Sequence, residues 1–179
     1  MARHPHVINL SELAWDEIAA PENSPFGGQR KRVGVRVGAQ KLGYSFFKVA
    51  PGKTSYPYHT HTSNEEMIHV IDGAGTLRFG KEVIQVTAGD VVACPPGSDF
   101  AHQLINTGAT DLNYLVVSTM EYPDISQYPD SNKIGAYANT AGAPGQSFRA
   151  LYVRDKTVSY HDGEDGKEVE RILAQRRQP

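Results

Sequence analysis

Between Met67 and Thr119 the chain repeats one short theme, a β-rich run ended by a turn. Met67–Ile71 runs into Asp72-Gly73, Thr76–Phe79 into Gly80, and Glu82–Val86 into Ala88-Gly89. Val91–Cys94 then meets Pro95-Pro96-Gly97, His102–Ile105 meets Asn106-Thr107-Gly108, and Leu112–Thr119 closes the series. Short strands at this spacing, punctuated by residues that accept turn geometry, specify an antiparallel sandwich or barrel. No helical pattern separates the runs, which excludes a parallel βαβ sheet. Leu42–Val49, stopped by Pro51-Gly52, reads as a further strand, and Val33, Val35 and Val37 alternate with period two as another. The expected fold is all-β.

The flanks have a different texture. Asn9 to Ala20 reads as a short helix, with Asn9 as its cap and Glu12 three residues on. Pro21 to Arg32 is polar and rich in turn residues. Glu121 to Gln146 reads as an ordered but irregular segment, Leu151–Tyr160 as one more strand, and Val169, Ile172 and Leu173 as one face of a terminal helix that frays over Gln175–Pro179. The expected division is an N-terminal arm (1–32), a β body (33–120) and a C-terminal arm carrying an extra strand and helix (121–179).

Composition narrows the function classes. Of 179 residues 39% are hydrophobic, enough for a core, and the net charge is −2, which disfavours a nucleic-acid partner. A single cysteine precludes an internal disulfide and suits a reducing compartment. No apolar run reaches the length of a membrane span, and Met1 to Pro21 lacks the apolar core of a signal peptide. The expected address is the cytoplasm.

Two phosphate-binding motifs fail on inspection. Gly52-Lys53-Thr54 resembles the end of a P-loop, but Phe47 stands where the leading glycine belongs. Gly73-Ala74-Gly75 would need its third glycine at Arg78, with a helix to follow. Histidine is more informative. His59 and His61, at i and i+2 in extended chain, point to the same side, and Glu65 and Glu66 follow closely. Alone, this pattern fits either a metal site or a solvated polar turn.

The block Gly52-x6-His59-x-His61-x4-Glu66-x6-Gly73 resembles the first motif of the cupin superfamily, and Gly89-x5-Pro95-x-Gly97-x4-His102-x3-Asn106 resembles the second. Each carries a loop insertion relative to the usual spacing: six residues rather than five before His59, and four rather than two between Gly97 and His102. The segments Tyr128-Pro129-Asp130-Ser131 and Tyr160-His161-Asp162-Gly163 also look like those of little-characterised, single-domain bacterial cupins. The resemblance implies a double-stranded β-helix, a jelly-roll barrel, spanning 33–120. It implies a divalent transition metal (Fe, Mn, Zn, Ni or Cu) held by His59, His61, Glu66 and His102. Cupins place the glutamate six residues before the closing glycine, which selects Glu66 over Glu65.

Strand parity then turns Ile68 and Val70 inward with Glu66, and Met67, His69 and Ile71 outward. Outward apolar residues suggest a homodimer, while His4, His6 and His161 read as solvated. Tyr44, Phe46, Tyr56, Tyr58, Arg36 and Gln103 are candidate pocket residues, with Tyr44, Tyr58 and Gln103 the candidates for handling protons. Cys94 reads as a small buried apolar residue. The functional expectation is a metal-dependent enzyme acting on a small organic molecule, by oxygenase-like or lyase/isomerase chemistry. The alternative is a small-ligand binding or sensing module. The chain lacks the cation cluster expected of a phosphate clamp.

Overall fold

The computed structural model describes residues 3–139 and 147–175, so the expectations for 140–146 and for the chain end beyond Gln175 fall outside the described residues. Among the described residues thirteen strands form three antiparallel sheets. The largest is ordered β1 (Asp16–Glu17), β2 (Gln29–Arg32), β3 (Leu42–Val49), β10 (Leu112–Thr119), β5 (Glu66–Asp72) and β8 (Val91–Cys94). A second is ordered β7 (Glu82–Thr87), β6 (Ala74–Phe79) and β9 (His102–Ile105). The third is ordered β13 (Ser147–Val153), β12 (Lys133–Asn139), β11 (Asp124–Tyr128) and the two-residue β4 (Thr60–His61). A nine-residue helix, here α2 (Lys167–Gln175), ends the described chain. The architecture is a double-stranded β-helix.

The period-two runs fold as their alternation demands. On β5, Ile68 and Val70 are buried and Ile71 is exposed. They join Phe47, Val49, Leu77, Val86, Leu104, Leu112 and Tyr114 in one core. Cys94 is buried in the same cluster. Gly73 ends β5 with φ +88°, and a Cβ there would come within 2.6 Å of the Asp111 carbonyl oxygen. The turn therefore requires glycine.

Three registered rows explain why this core opens into a cavity. Phe47, Tyr114 and Val70 pair across β3, β10 and β5 and fill the floor. One step outward the row is Ser45, Val116 and Ile68, and beyond it Gly43, Ser118 and Glu66. Bulk falls along the barrel axis while polarity rises, so the same inward face that is packed at one end is open at the other.

The flanks depart from expectation. Only Leu10–Glu12 forms a helical turn, capped by the Asn9 side chain as expected; the chain then extends, and β1 pairs with β2. Leu10, Leu13 and Ile18 form too thin an apolar stripe to hold a longer helix. Val33–Arg36, expected as a strand, is instead a four-residue helix, α1. Gly34 lies against the β3 backbone, where a Cβ would stand 3.1 Å from the Tyr44 nitrogen, so the helix turn depends on this close approach. The tract after Met120, expected to be irregular, forms β11 and β12. The strand expected over Leu151–Tyr160 is shifted to Ser147–Val153.

Candidate metal centre

The site is built by two short pairings at the open end of the barrel. His59 and His102 exchange backbone hydrogen bonds across an antiparallel bridge, at 3.1 and 2.7 Å. This sets their ring centroids 4.8 Å apart. His61, two residues on, faces the same way, with its centroid 5.3 Å from that of His59. Glu66 is the outermost member of the inward row of β5. One ligand atom from each of His59, His61 and Glu66 lies within 4.8 Å of the others. His102 Nε2 stands 3.1 Å from Glu66 Oε2, and the His59 and His61 Nε2 atoms are 3.9 and 3.8 Å from the same carboxylate. Glu65, by contrast, is exposed.

Each ring is held by its other nitrogen. His59 Nδ1–H donates to the Pro57 carbonyl at 2.9 Å, and His102 Nδ1–H to the Phe100 carbonyl at 3.1 Å. His61 Nδ1–H donates to Asp124 Oδ2 at 2.6 Å. Acceptors at all three Nδ1 positions hold a proton there and turn the Nε2 atoms toward Glu66, as in histidines that ligate metals. In the metal-free protein burial lowers the His59 value to about 4, helped by the His102 charge. Burial also lowers His102, but Cys94 and the Glu66 carboxylate outweigh it and push that ring up to about 10. Burial raises the Glu66 carboxyl, and the three imidazoles more than offset this, so it stays ionised. Three imidazole nitrogens and a carboxylate converging in a half-buried mouth suit a divalent transition ion, which would replace the proton between His102 and Glu66.

The sequence did not reveal Asp124 or Tyr128. Asp124 is buried; its Oδ1 accepts from the Thr62 and Ser63 N–H groups while its Oδ2 takes His61. Burial raises its carboxyl, but the His61 and Ser63 hydrogen bonds outweigh that and hold it below the ordinary range. The Tyr128 ring lies nearly parallel to that of His59, 19° off, with centroids 6.0 Å apart. Both residues come from β11, which pairs with β4 through Ser126–His61 and Gln127–Thr60.

The centre opens into a cavity of about 620 Å³. Tyr44, Tyr56 and Gln103 line it. Gln103 is tied at both ends, accepting from Arg78 and donating to the Tyr56 carbonyl. Tyr58 is a correction: it is absent from the lining, and its hydroxyl donates to the Gly80 carbonyl at 2.6 Å while its ring lies under Arg78. As the immediate neighbour of His59 in extended chain it faces the opposite side. Phe46 and Arg36 are also absent from the lining. His69 is on the outer face of β5, and His4, His6 and His161 are exposed.

The sequence profile of the cupin domain matches residues 45–118, the stretch from β3 to β10 that holds all four converging side chains. This stretch is a cupin domain. It is 32% identical over 74 residues to an oxalate-binding protein of Thermotoga maritima, a match covering 41% of this chain and 59% of that protein. The match thus spans less than two thirds of that relative. Among solved structures, a protein of Acidithiobacillus ferrooxidans provisionally named a sugar phosphate isomerase superposes with a TM-score of 0.73. It shares 24% identity, covering 87% of this chain and 96% of that one. A sugar phosphate isomerase of the cupin superfamily from Silicibacter pomeroyi gives 0.72 at 22% identity, over 87% and 98% of the two chains. At these identities the likeness shows the fold, and its coverage reaches well outside the cupin domain into the flanks. No described helix is long and apolar enough to cross a membrane.

Proposed function

We propose that this chain is a metal-dependent cupin enzyme that transforms a small organic molecule, with His59, His61, Glu66 and His102 holding the ion. The observation that carries this is the convergence of three Nε2 atoms on one carboxylate, with every Nδ1 engaged behind them. When bound, a divalent ion supplies Lewis-acid polarisation of a ligand oxygen and, as Fe(II), access to dioxygen chemistry. Glu66 offsets half of the ion's charge. His61 and Asp124 form a carboxylate–imidazole pair that keeps the ring oriented and its Nε2 basic. Tyr128 lies nearly parallel to the His59 ring on one side of the site. Tyr44 is the phenol from the sequence expectations that remains available to a bound molecule, because Tyr58 points away and Gln103 is tied.

The oxalate-binding relative favours a second reading, a site that holds a small acid without transforming it. Anaerobic Fe(II)-loaded protein, given catechols, β-diketones and hydroxy acids and then air in an oxygen electrode, separates the two. Uptake that depends on substrate and is lost in His102→Ala supports the enzyme; tight binding without turnover under any metal supports the binder.

We place the protein in the cytoplasm on its single cysteine. We read the exposed Ile71 and Val91, on the paired strands β5 and β8, as part of a homodimer surface, which light scattering on the full chain checks.

A further inference from the structure

We propose that Arg149 is the anion anchor of the cavity, and that the ligand it selects is a flat, extended carboxylate. Its acid end sits at Arg149 and its other end reaches toward the metal centre. The far end rests on the metal reading above; the Arg149 end rests on the cavity itself.

Size comes first. A space of about 620 Å³ lies within the range that encloses drug-sized molecules, and a two-carbon diacid would fill little of it. The lining then states the shape. Six of the nine tyrosines in the sequence line this one cavity: Tyr44, Tyr56, Tyr114, Tyr122, Tyr128 and Tyr137. Aromatic walls favour ligands with a flat face. Several of these phenols are committed to the protein: Tyr56 accepts from Arg30, Tyr114 pairs with Ser55, and Tyr128 pairs with Tyr137 at 3.1 Å. Those tyrosines present ring surface rather than free hydroxyls.

Charge gives the third constraint. The lining acids are both occupied, Glu66 by the imidazoles and Asp124 by His61. Of the two arginines in the lining, Arg32 is paired with Asp16 at 3.1 Å. Arg149 has no hydrogen bond or ion pair among the described residues. Its Cζ stands 5.5 Å from the Tyr137 ring centroid, a distance at which the ring face attracts a cation and orients it. Arg149 sits opposite Tyr137 in the β12–β13 register, the Tyr137 hydroxyl meets that of Tyr128, and Tyr128 stacks over His59. One aromatic wall therefore runs from a planar guanidinium, unpaired among the described residues, to a metal-site imidazole. A carboxylate at one end and a flat body along the wall is the ligand that matches it.

The test uses isothermal titration calorimetry on the full chain, metal-free and Zn(II)-loaded, with cinnamate, neutral cinnamyl alcohol and oxalate as probes. The expected result is that wild type binds cinnamate roughly ten-fold or more tightly than cinnamyl alcohol. Arg149→Gln removes that difference while leaving the alcohol and the Zn(II) affinity unchanged, and Arg149→Lys keeps part of it. Oxalate binding, if it depends on Zn(II), is insensitive to Arg149→Gln. The proposal is overturned if wild type does not bind cinnamate at millimolar concentration, if the acid binds no better than the alcohol, or if Arg149→Gln binds cinnamate as wild type does. Zn(II) binding that survives in His59→Ala and His102→Ala defeats the metal reading alone, since charge-dependent cinnamate binding in the metal-free protein does not pass through it.

Discussion

The β body and the strands that follow it build the same centre by different means. The body supplies all four converging side chains, and two of its histidines are steadied by carbonyls two residues away, at Pro57 and Phe100. The third, His61, is steadied by Asp124 on β11, 63 residues further along the chain. Short-range support of this kind follows from the fold of a single loop. Long-range support exists only when β11 is docked on β4. The difference teaches that the centre has a self-contained half and a half that depends on a later segment of the chain.

The largest effect should come from the body. Glu66→Gln or His102→Ala removes a converging group, and Zn(II) affinity, read by competition with a chromophoric chelator, should fall by more than the ~10–100-fold typical of outer partners. Far-UV circular dichroism should stay that of a β protein, because the floor of Phe47, Val70, Leu112 and Tyr114 is untouched. Glu65→Gln should be silent; a reversal between the two glutamates would shift the register of β5 by one and turn its inward row outward.

Next is the long-range half. Asp124→Asn should weaken Zn(II) binding by about 10–100-fold with the fold retained. Binding equal to wild type would break the comparison and reduce β11 to a wall.

Protons offer a sharper reading. His102 in the metal-free protein is pushed up to about 10, so at neutral pH the ion must displace its proton, whereas His59, held near 4, has none to lose. Zn(II) uptake at pH 7–8 in a pH-stat should release about one proton from this pair, and affinity should rise with pH. The sign for stability is opposite. A raised histidine value stabilises the metal-free fold below roughly pH 6.5, and that contribution is lost as pH climbs toward the folded value. Thermal melts of metal-free protein should therefore fall between pH 7 and 10, and those of loaded protein should not follow.

The smallest effect belongs to the turn after β11. Asp130 in this turn forms a two-pronged ion pair with Arg78, at 2.7 and 3.0 Å, near the residue that stacks on His59. Both partners are substantially solvent-exposed, so Asp130→Ala, which leaves Arg78 on Gln103 and Tyr58, should cost no more than about 1 kcal/mol, and less at high salt. The Arg78 hydrogen bond holds the Asp130 carboxyl below its ordinary range, so the pair should persist until pH falls below the ordinary carboxylate range.

The body was legible because its signals are local. Alternation with turn punctuation located β3 and β5 through β10, and His59 with His61 fell on one side by parity alone. The same parity, applied one residue back, would have turned Tyr58 away. Val33–Arg36 misled because its alternation reflects a close helix contact with β3 at Gly34 rather than pleating. Asp124 and Tyr128 were hidden for another reason. Nothing in Glu121–Gln146 has a period, and their roles arise from pairing with a two-residue strand far away in sequence. Arg149 was unreadable likewise, because its place over the Tyr137 ring comes from the β12–β13 register.

The dependence of His61 on β11 also sets an order in time. During synthesis the amino-terminal portions emerge first and begin to fold first. The barrel floor can close once Thr119 is out, with His59, His102 and Glu66 already gathered. His61 acquires its carboxylate partner only after residues 124–128 have cleared the ribosome and paired with Thr60–His61. A nascent chain arrested between those points would carry a barrel whose His61 still lacks its carboxylate partner, so the mouth is completed only after β11 has docked.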